Sequence, residues 1–573
     1  MKTFYSSAYS VVCFFLACTN AIDGRLPFGS GGRTIHHVRR EAIERANVIK
    51  TNDVDPSELY PVRHIDLPVN HFPNSSRYKP DKSGTFKNRY WLDASHYSPG
   101  GPVIVLQSGE TDATSRLVYM QKGILAQLAE ATNGIGVVLE HRYYGQSFPT
   151  DSLSTENLRF LTTEQALADE VYFAQNIVFP GLEDKNLTSH TTAYLSYGGS
   201  YPGSISAFLR VKYPDVFWGS ISSAGVTKAI LDYWQYYATP AEYGPTFCMT
   251  TQKLFTKMAD NILMGKKKSK SIHKLKHLFG LDHITHDVDF ANQLSSGVGS
   301  WQGLNWDPEV SQDNFYEFCR NLSSLVVLFP ETESKRSLAE EVIEDGGYTA
   351  DPLLVNQLLN YVGWMNLTAV SVCQNEGHTH DHCFSNLNST FYQQHELKDY
   401  VWRSWAYQYC TEWGYLPTGS GVPEDQMSLI SRTLDLEYLS TVCREAFNIT
   451  DPPDVEEVNK FGGYDIHYPR LAVIDGEWDP WRPATPHAFA YGASPRNSTT
   501  SEPFMMIPQG LHHEDENSLF PNETTPKLPP PRIVSVQAEE RRFVKAWMEE
   551  WKQDCRAKGD CSEGASPPLL VVQ

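Results

Sequence analysis

Six short runs constrain this chain more than anything else in it: Val103–Leu106, Ile135–Leu139, Thr192–Tyr197, Gly219–Ser223, Leu471–Ile474 and Phe504–Ile507. None carries a charge. Helical patterns, roughly Leu117–Ala131, Thr163–Val178 and Ser204–Val211, separate the first four. A strand with no polar face has none to give to water. Such strands alternating with helices predict a parallel sheet covered on both faces.

After Val226 the rhythm stops, and it returns only at Leu471. The intervening stretch is rich in Trp, Tyr and helical patterns. With 573 residues, the chain is too long for one simple core. The reading is therefore an α/β domain in two parts, 56–226 and 465–573, interrupted by a mostly helical cap at 227–464.

The N-terminus reads as a signal peptide, residues 1–21. Lys2 precedes the apolar core Val11–Ala17, and Thr19-Asn20-Ala21 offers small residues for cleavage. Residues 22–55 read as a flexible leader, with Val38-Arg39-Arg40 a dibasic site inside it. Export agrees with eight Asn-x-Ser/Thr sequons, at Asn74, Asn186, Asn321, Asn366, Asn388, Asn448, Asn497 and Asn522. Beyond the signal remain Cys248, Cys319, Cys373, Cys383, Cys410, Cys443, Cys555 and Cys561, an even set expected to pair in an oxidising compartment. Cys373 and Cys383 bracket His378, His380 and His382. In a secreted chain this is better read as a disulfide with exposed histidines than as a metal site. The net charge of −20 argues against nucleic acid and anionic membrane as partners. The expected location is extracellular or vacuolar/lysosomal, without membrane insertion. A homodimer is compatible with the sequence.

The chemistry is expected on loops after strand ends. The first is Gly198-Gly199-Ser200-Tyr201-Pro202-Gly203, where a strand turns straight into a helix. A sharp turn there lifts the Ser200 hydroxyl clear of the sheet and sets the Tyr201 N–H beside it, at the positive end of the helix. Pro202 stands where a second glycine is usual. A proline in the first helical turn loses no hydrogen bond and has the right φ. The second loop carries Asp479 within Asp475-Gly476-Glu477-Trp478-Asp479-Pro480-Trp481. The third carries His512 and His513. The order Ser200, Asp479, His512 is that of a nucleophile, an orienting acid and a base. Asp475 and His513 are the competitors for the second and third roles. This chemistry requires neither cofactor nor metal.

The pattern resembles serine peptidase family S28, the group of lysosomal Pro-X carboxypeptidase and dipeptidyl-peptidase II. The resemblance runs from about Ile65 onward. It rests on Asn70-His71-Phe72, Thr85-Phe86-Lys87-Asn88-Arg89-Tyr90, Glu140-His141-Arg142-Tyr143-Tyr144-Gly145-Gln146-Ser147, Gly198-Gly199-Ser200-Tyr201, Tyr407-Gln408-Tyr409-Cys410-Thr411-Glu412, Gly476-Glu477-Trp478-Asp479-Pro480-Trp481 and His512-His513-Glu514-Asp515. It implies an α/β-hydrolase fold with a helical cap and cleavage after proline in peptide or protein substrates. It also implies that His512, not His513, is the base, and that Cys410 pairs with Cys443. Cys555 would then pair with Cys561 and Cys248 with Cys319. One departure is Ser108-Gly109-Glu110-Thr111, where the family usually reads Gly-Asn-Glu-Gly. The Gly109–Glu110 backbone is the expected second oxyanion donor beside Tyr201. Trp481, two residues after Asp479, reads either as a wall of the proline pocket or as a core ring that braces the Asp479 turn. Glu412 is the other expected substrate contact, with Glu412 and Glu110 towards an amine and Arg482 towards a carboxylate. Carboxypeptidase, dipeptidyl-peptidase and endopeptidase modes stay open. An esterase or lipase on the same fold, or an inactive binding protein, are the rival readings.

Overall fold

The computed structural model describes residues 55–265, 269–375, 377–387, 389, 391–397 and 401–558. The signal and leader lie outside these residues. Among the described residues are ten strands: β1 (Arg63–Pro68), β2 (Thr85–Asp93), β3 (Val103–Gln107), β4 (Ile135–Leu139), β5 (Tyr194–Gly199), β6 (Gly219–Ser223), β7 (Ile230–Asp232), β8 (Gly414–Leu416), β9 (Leu471–Gly476) and β10 (Phe504–Ile507). Eight of them form one sheet in the order β1-β2-β4-β3-β5-β6-β9-β10. β2 is antiparallel to both its neighbours, and every pairing from β4 to β10 is parallel. This is the α/β-hydrolase arrangement.

The central strands β3, β4, β5, β6 and β9 are buried on both faces, as their uncharged runs require, whereas the uncharged β10 at the sheet's edge is mostly half-buried. Along β3 the side chains alternate: Val103 and Val105 enter one core, Ile104 and Leu106 the other. β4 divides in the same way, with Val137 and Leu139 against Val138. Among the covering helices are α1 (Ile124–Thr132), α2 (Thr163–Asn176), α3 (Tyr201–Lys212) and the C-terminal α7 (Pro531–Lys558). Their ends are local. Asn133 stops α1 in the left-handed region at φ 53°. The Thr162 hydroxyl accepts from Gln165 N to start α2. On α7, Phe543 and Trp547 are fully buried, while Trp551 packs edge-on against Trp218 at 5.1 Å.

Between β6 and β9 the chain is mainly helical, with α4 (Thr246–Leu263), α5 (Pro352–Met365) and α6 (Val401–Gln408) among its elements and the small β7–β8 sheet as the exception. Its apolar side chains, such as Phe255, Phe318 and Tyr361, belong to the same core cluster as Val105 and Val137. Cys248–Cys319, Cys373–Cys383 and Cys410–Cys443 are disulfides. Cys561 lies outside the described residues. Asn74, Asn366, Asn448, Asn497 and Asn522 are exposed, Asn186 and Asn321 half-buried, and Asn388 lies outside the described residues.

β1 and β2 were hidden in the sequence. β2 carries Asn88 and Arg89 in its middle, and both are buried. Arg89 is held by Glu140 through Nε to Oε2 at 2.7 Å and Nη2 to Oε1 at 2.5 Å. A buried, paired charge breaks the apolar pattern without breaking the strand.

Candidate active site

β5 ends at Gly199, and Ser200 begins the turn with φ 69° and ψ −130°. This is a costly conformation for a residue with a side chain, on the order of 1–3 kcal/mol. The surroundings hold it. Ser200 N donates to Ser223 O of β6 at 2.8 Å, and Ser204 N to Ser200 O at 3.2 Å. The turn is crowded from two sides. A Cβ on Gly199 would lie 2.3 Å from Glu516 Oε1 and 3.0 Å from His513 Cγ. A Cβ on Gly109 would lie 2.1 Å from Pro202 Cγ, and Gly109 itself has φ 71°. Pro202 therefore fills the space above Gly109, so the two departures from the usual motifs pack against each other.

Asp479 follows β9 and is fully buried. Its Oδ2 accepts from His512 Nδ1 at 2.8 Å, and its Oδ1 from Trp481 N at 2.8 Å. A carboxylate at Nδ1 fixes the tautomer, so Nε2 of His512 presents a lone pair. That atom is buried and has no hydrogen-bond partner among the described residues. The competitors are engaged elsewhere. Asp475 Oδ2 pairs with His487 Nδ1 at 2.6 Å, and His487 stacks on Phe504 at 3.7 Å. His513 adopts φ 37° and sets Nδ1 2.9 Å from Glu516 Oε2. The His512 loop is clamped to the sheet through Asp515, whose two oxygens accept from Ser223 Oγ and Tyr197 Oη at 2.5 Å each. These clamps hold the third loop against the strand ends that carry the first.

Glu412, one expected substrate contact, is engaged elsewhere, and Trp481 fits the second of its two readings. Glu412 is 1% exposed. One oxygen is taken by Arg77, and the other accepts from Thr163 N at 2.9 Å and Thr163 Oγ1 at 2.8 Å. It caps α2 and has nothing left for a substrate amine. Trp481 is also 1% exposed. Its ring stacks on Tyr233 at 5.1 Å and meets Tyr236 and Tyr415 edge-on at 5.1 and 5.3 Å, while Nε1 donates to Gln302 at 2.8 Å. A pocket wall must show a face, and this ring shows none. Trp481 braces the Asp479 turn. Trp481→Ala should therefore lower kcat/KM on proline and alanine substrates alike and depress Tm, leaving their ratio within about twofold; a ratio that falls tenfold would return Trp481 to the pocket. Arg482 is half-buried, with its guanidinium 5.6 Å from the Tyr243 ring centre. Glu110 is buried. Not legible in the sequence were the roles of Gln302 and Arg77 and the His141–Tyr201 hydrogen bond. Their partners are remote in the chain, and no local pattern announces them.

The family model described as serine carboxypeptidase S28 matches residues 74–528. The chain belongs to that family. A protein named probable extracellular serine carboxypeptidase, from Arthroderma benhamiae, is 50% identical over 92% of this chain and 73% of its own length. Serine protease vicPa of Bipolaris victoriae is 28% identical over 75% of this chain and 80% of its own. Lysosomal Pro-X carboxypeptidase of Bos taurus is 24% identical over 86% of this chain and 89% of its own. No helix among the described residues is long and apolar enough to cross a membrane.

Proposed function

We propose that this protein is a secreted serine carboxypeptidase that hydrolyses the peptide bond after a proline near the C-terminus of its substrate. The observation that carries the reading is the Asp479–His512 hydrogen bond on the loop clamped against the Ser200 turn. In this reading Ser200 Oγ attacks the carbonyl carbon and His512 Nε2 takes its proton. The imidazolium then protonates the leaving amine, and water releases the acyl group from Ser200 by the reverse use of the same base. Asp479 stabilises the imidazolium. The Tyr201 N–H, with the Gly109–Glu110 backbone opposite, receives the developing oxyanion.

The carboxypeptidase mode draws on the name of the 50% identical relative. The preference for proline draws on the name of the bovine one. Arg482, three residues beyond Asp479 on the same loop, is the candidate partner for the substrate's free carboxylate.

One proline-containing peptide, digested in free, N-blocked and C-blocked forms, tests the mode. The free and N-blocked forms should be cut and the C-blocked form spared. Cleavage of the C-blocked form at an equal rate would instead indicate an endopeptidase, and loss of cleavage on N-blocking a dipeptidyl-peptidase. Alanine in place of proline should lower kcat/KM by roughly 10–200-fold, the discrimination a shaped apolar pocket provides. Turnover of a simple ester with no peptide cut would favour the esterase.

A further inference from the structure

Tyr201 has two ends with different tasks. Its N–H begins α3 next to Ser200, and its side chain is fully buried at the seam with the helical insertion. The ring meets Trp413 at 5.0 Å and Trp405 at 5.7 Å, both edge-on, and both belong to the insertion. The hydroxyl lies 2.9 Å from His141 Nε2, on the loop after β4, and 2.9 Å from Gln408 Nε2, the last residue of α6.

The donors and acceptors in this chain have one consistent direction. His141 Nδ1 is 2.7 Å from the Arg142 carbonyl oxygen, which can only accept. Nδ1 therefore carries the proton, and Nε2 is an acceptor. Tyr201 Oη then donates to His141 and accepts from Gln408. The Gln408 side-chain carbonyl accepts in turn from Tyr144 Oη. Burial pushes the His141 imidazole down to about 4, so it stays neutral as an acceptor.

We infer that His141, the Tyr201 phenol and Gln408 are positioning residues for the oxyanion site, which makes catalytic competence depend on the seating of the helical insertion. The inference rests on the reading of Ser200 as nucleophile. The physical reason is leverage. Tyr201 is one rigid residue, so a phenol held from both domains also fixes the N–H at its other end. Removing one oxyanion donor typically costs about 10²–10³ in kcat, and displacing it should cost part of that.

The test uses Tyr201→Phe, Gln408→Met and His141→Phe in the full-length protein, with kcat, KM, Tm and the rate of fluorophosphonate labelling. Each variant should lose roughly tenfold or more in kcat and in labelling rate, with KM within about twofold. His141→Gln places an amide oxygen where Nε2 stood and should recover most of what His141→Phe loses. A seam that only holds the fold would lower Tm and leave kcat and labelling unchanged in the folded variants; that result overturns the inference. So does a His141→Gln variant as slow as His141→Phe. Tyr201→Phe keeps the ring and its packing, so it reports even if Gln408→Met does not fold. Wild-type protein that takes no label at Ser200, or full activity in Ser200→Ala, sinks the nucleophile reading itself and is seen before any of these variants is measured.

Discussion

Ser200→Ala and His512→Ala should each lower kcat by on the order of 10⁴-fold or more, with the fold and Tm retained. The two losses should not add in the double variant, because nucleophile and base act as one unit. An alanine at position 200 leaves the backbone bonds to Ser223 and Ser204 intact. His512→Ala leaves Asp479 with its bond from Trp481 N. His513→Ala is the control. His513 faces Glu516 beneath the turn, so its loss should perturb stability more and kcat less. A His513→Ala variant slower than His512→Ala would reverse the assignment of the base. Circular dichroism and active-site titration, alongside kcat, separate unfolding from lost chemistry.

Stability should be greatest in mildly acidic solution and fall as the pH rises towards 8. Burial pushes Glu170 up to about 8 from 4.5, with Gln107 as its hydrogen-bond partner. Burial likewise raises Asp515 to about 6 and Glu540 well above its usual range. Among the described residues neither Glu540 oxygen has a hydrogen-bond partner. A carboxyl raised in the folded state contributes stability that is fully present below its unfolded pKa and is lost as pH climbs through the folded one. For Glu170 that window is about 4.5 to 8, and the loss at pH 8 is on the order of 4 kcal/mol. His141 works in the opposite direction. Its pKa is depressed by burial from 6.5 to about 4, so its contribution is present above 6.5 and lost as pH falls to about 4. Between about 4.5 and 6.5 the Glu170 and His141 slopes offset each other, so the net loss from this pair begins above about 6.5, while Asp515 and Glu540 tilt the plateau towards its acidic end. Glu170→Gln keeps an acceptor for Gln107 and removes the titration. It should raise Tm at pH 8 by several degrees and change it little at pH 5. Equal Tm shifts at both pH values would show that Glu170 is not the titrating group.

The sequence by itself determined the sheet's central strands and the loops at their ends. Val103–Leu106 and Ile135–Leu139 are uncharged along their whole length, and only a doubly covered strand tolerates that. The Gly198–Gly203 turn was legible for the same local reason: small residues, then a proline that fits a first helical turn. What the sequence left open was much of the contact between remote segments. Asp475 and Asp479 stand on one loop, and Pro480-Trp481 favours Asp479, but nothing nearby says what Asp475 meets instead. The fold decides it by seating His487 against Asp475. Glu412 and Trp481 looked available because a carboxylate and an indole usually are. Arg77 and Thr163 occupy the first, and Tyr233, Tyr236 and Tyr415 enclose the second. β2 was lost to the eye because Arg89 is buried against Glu140, 51 residues away. Strand periods and turns are set by neighbours a few residues off, so they can be read in order. Burial and pairing depend on contacts between segments from about a dozen to several hundred residues apart, and only the packed chain brings those together.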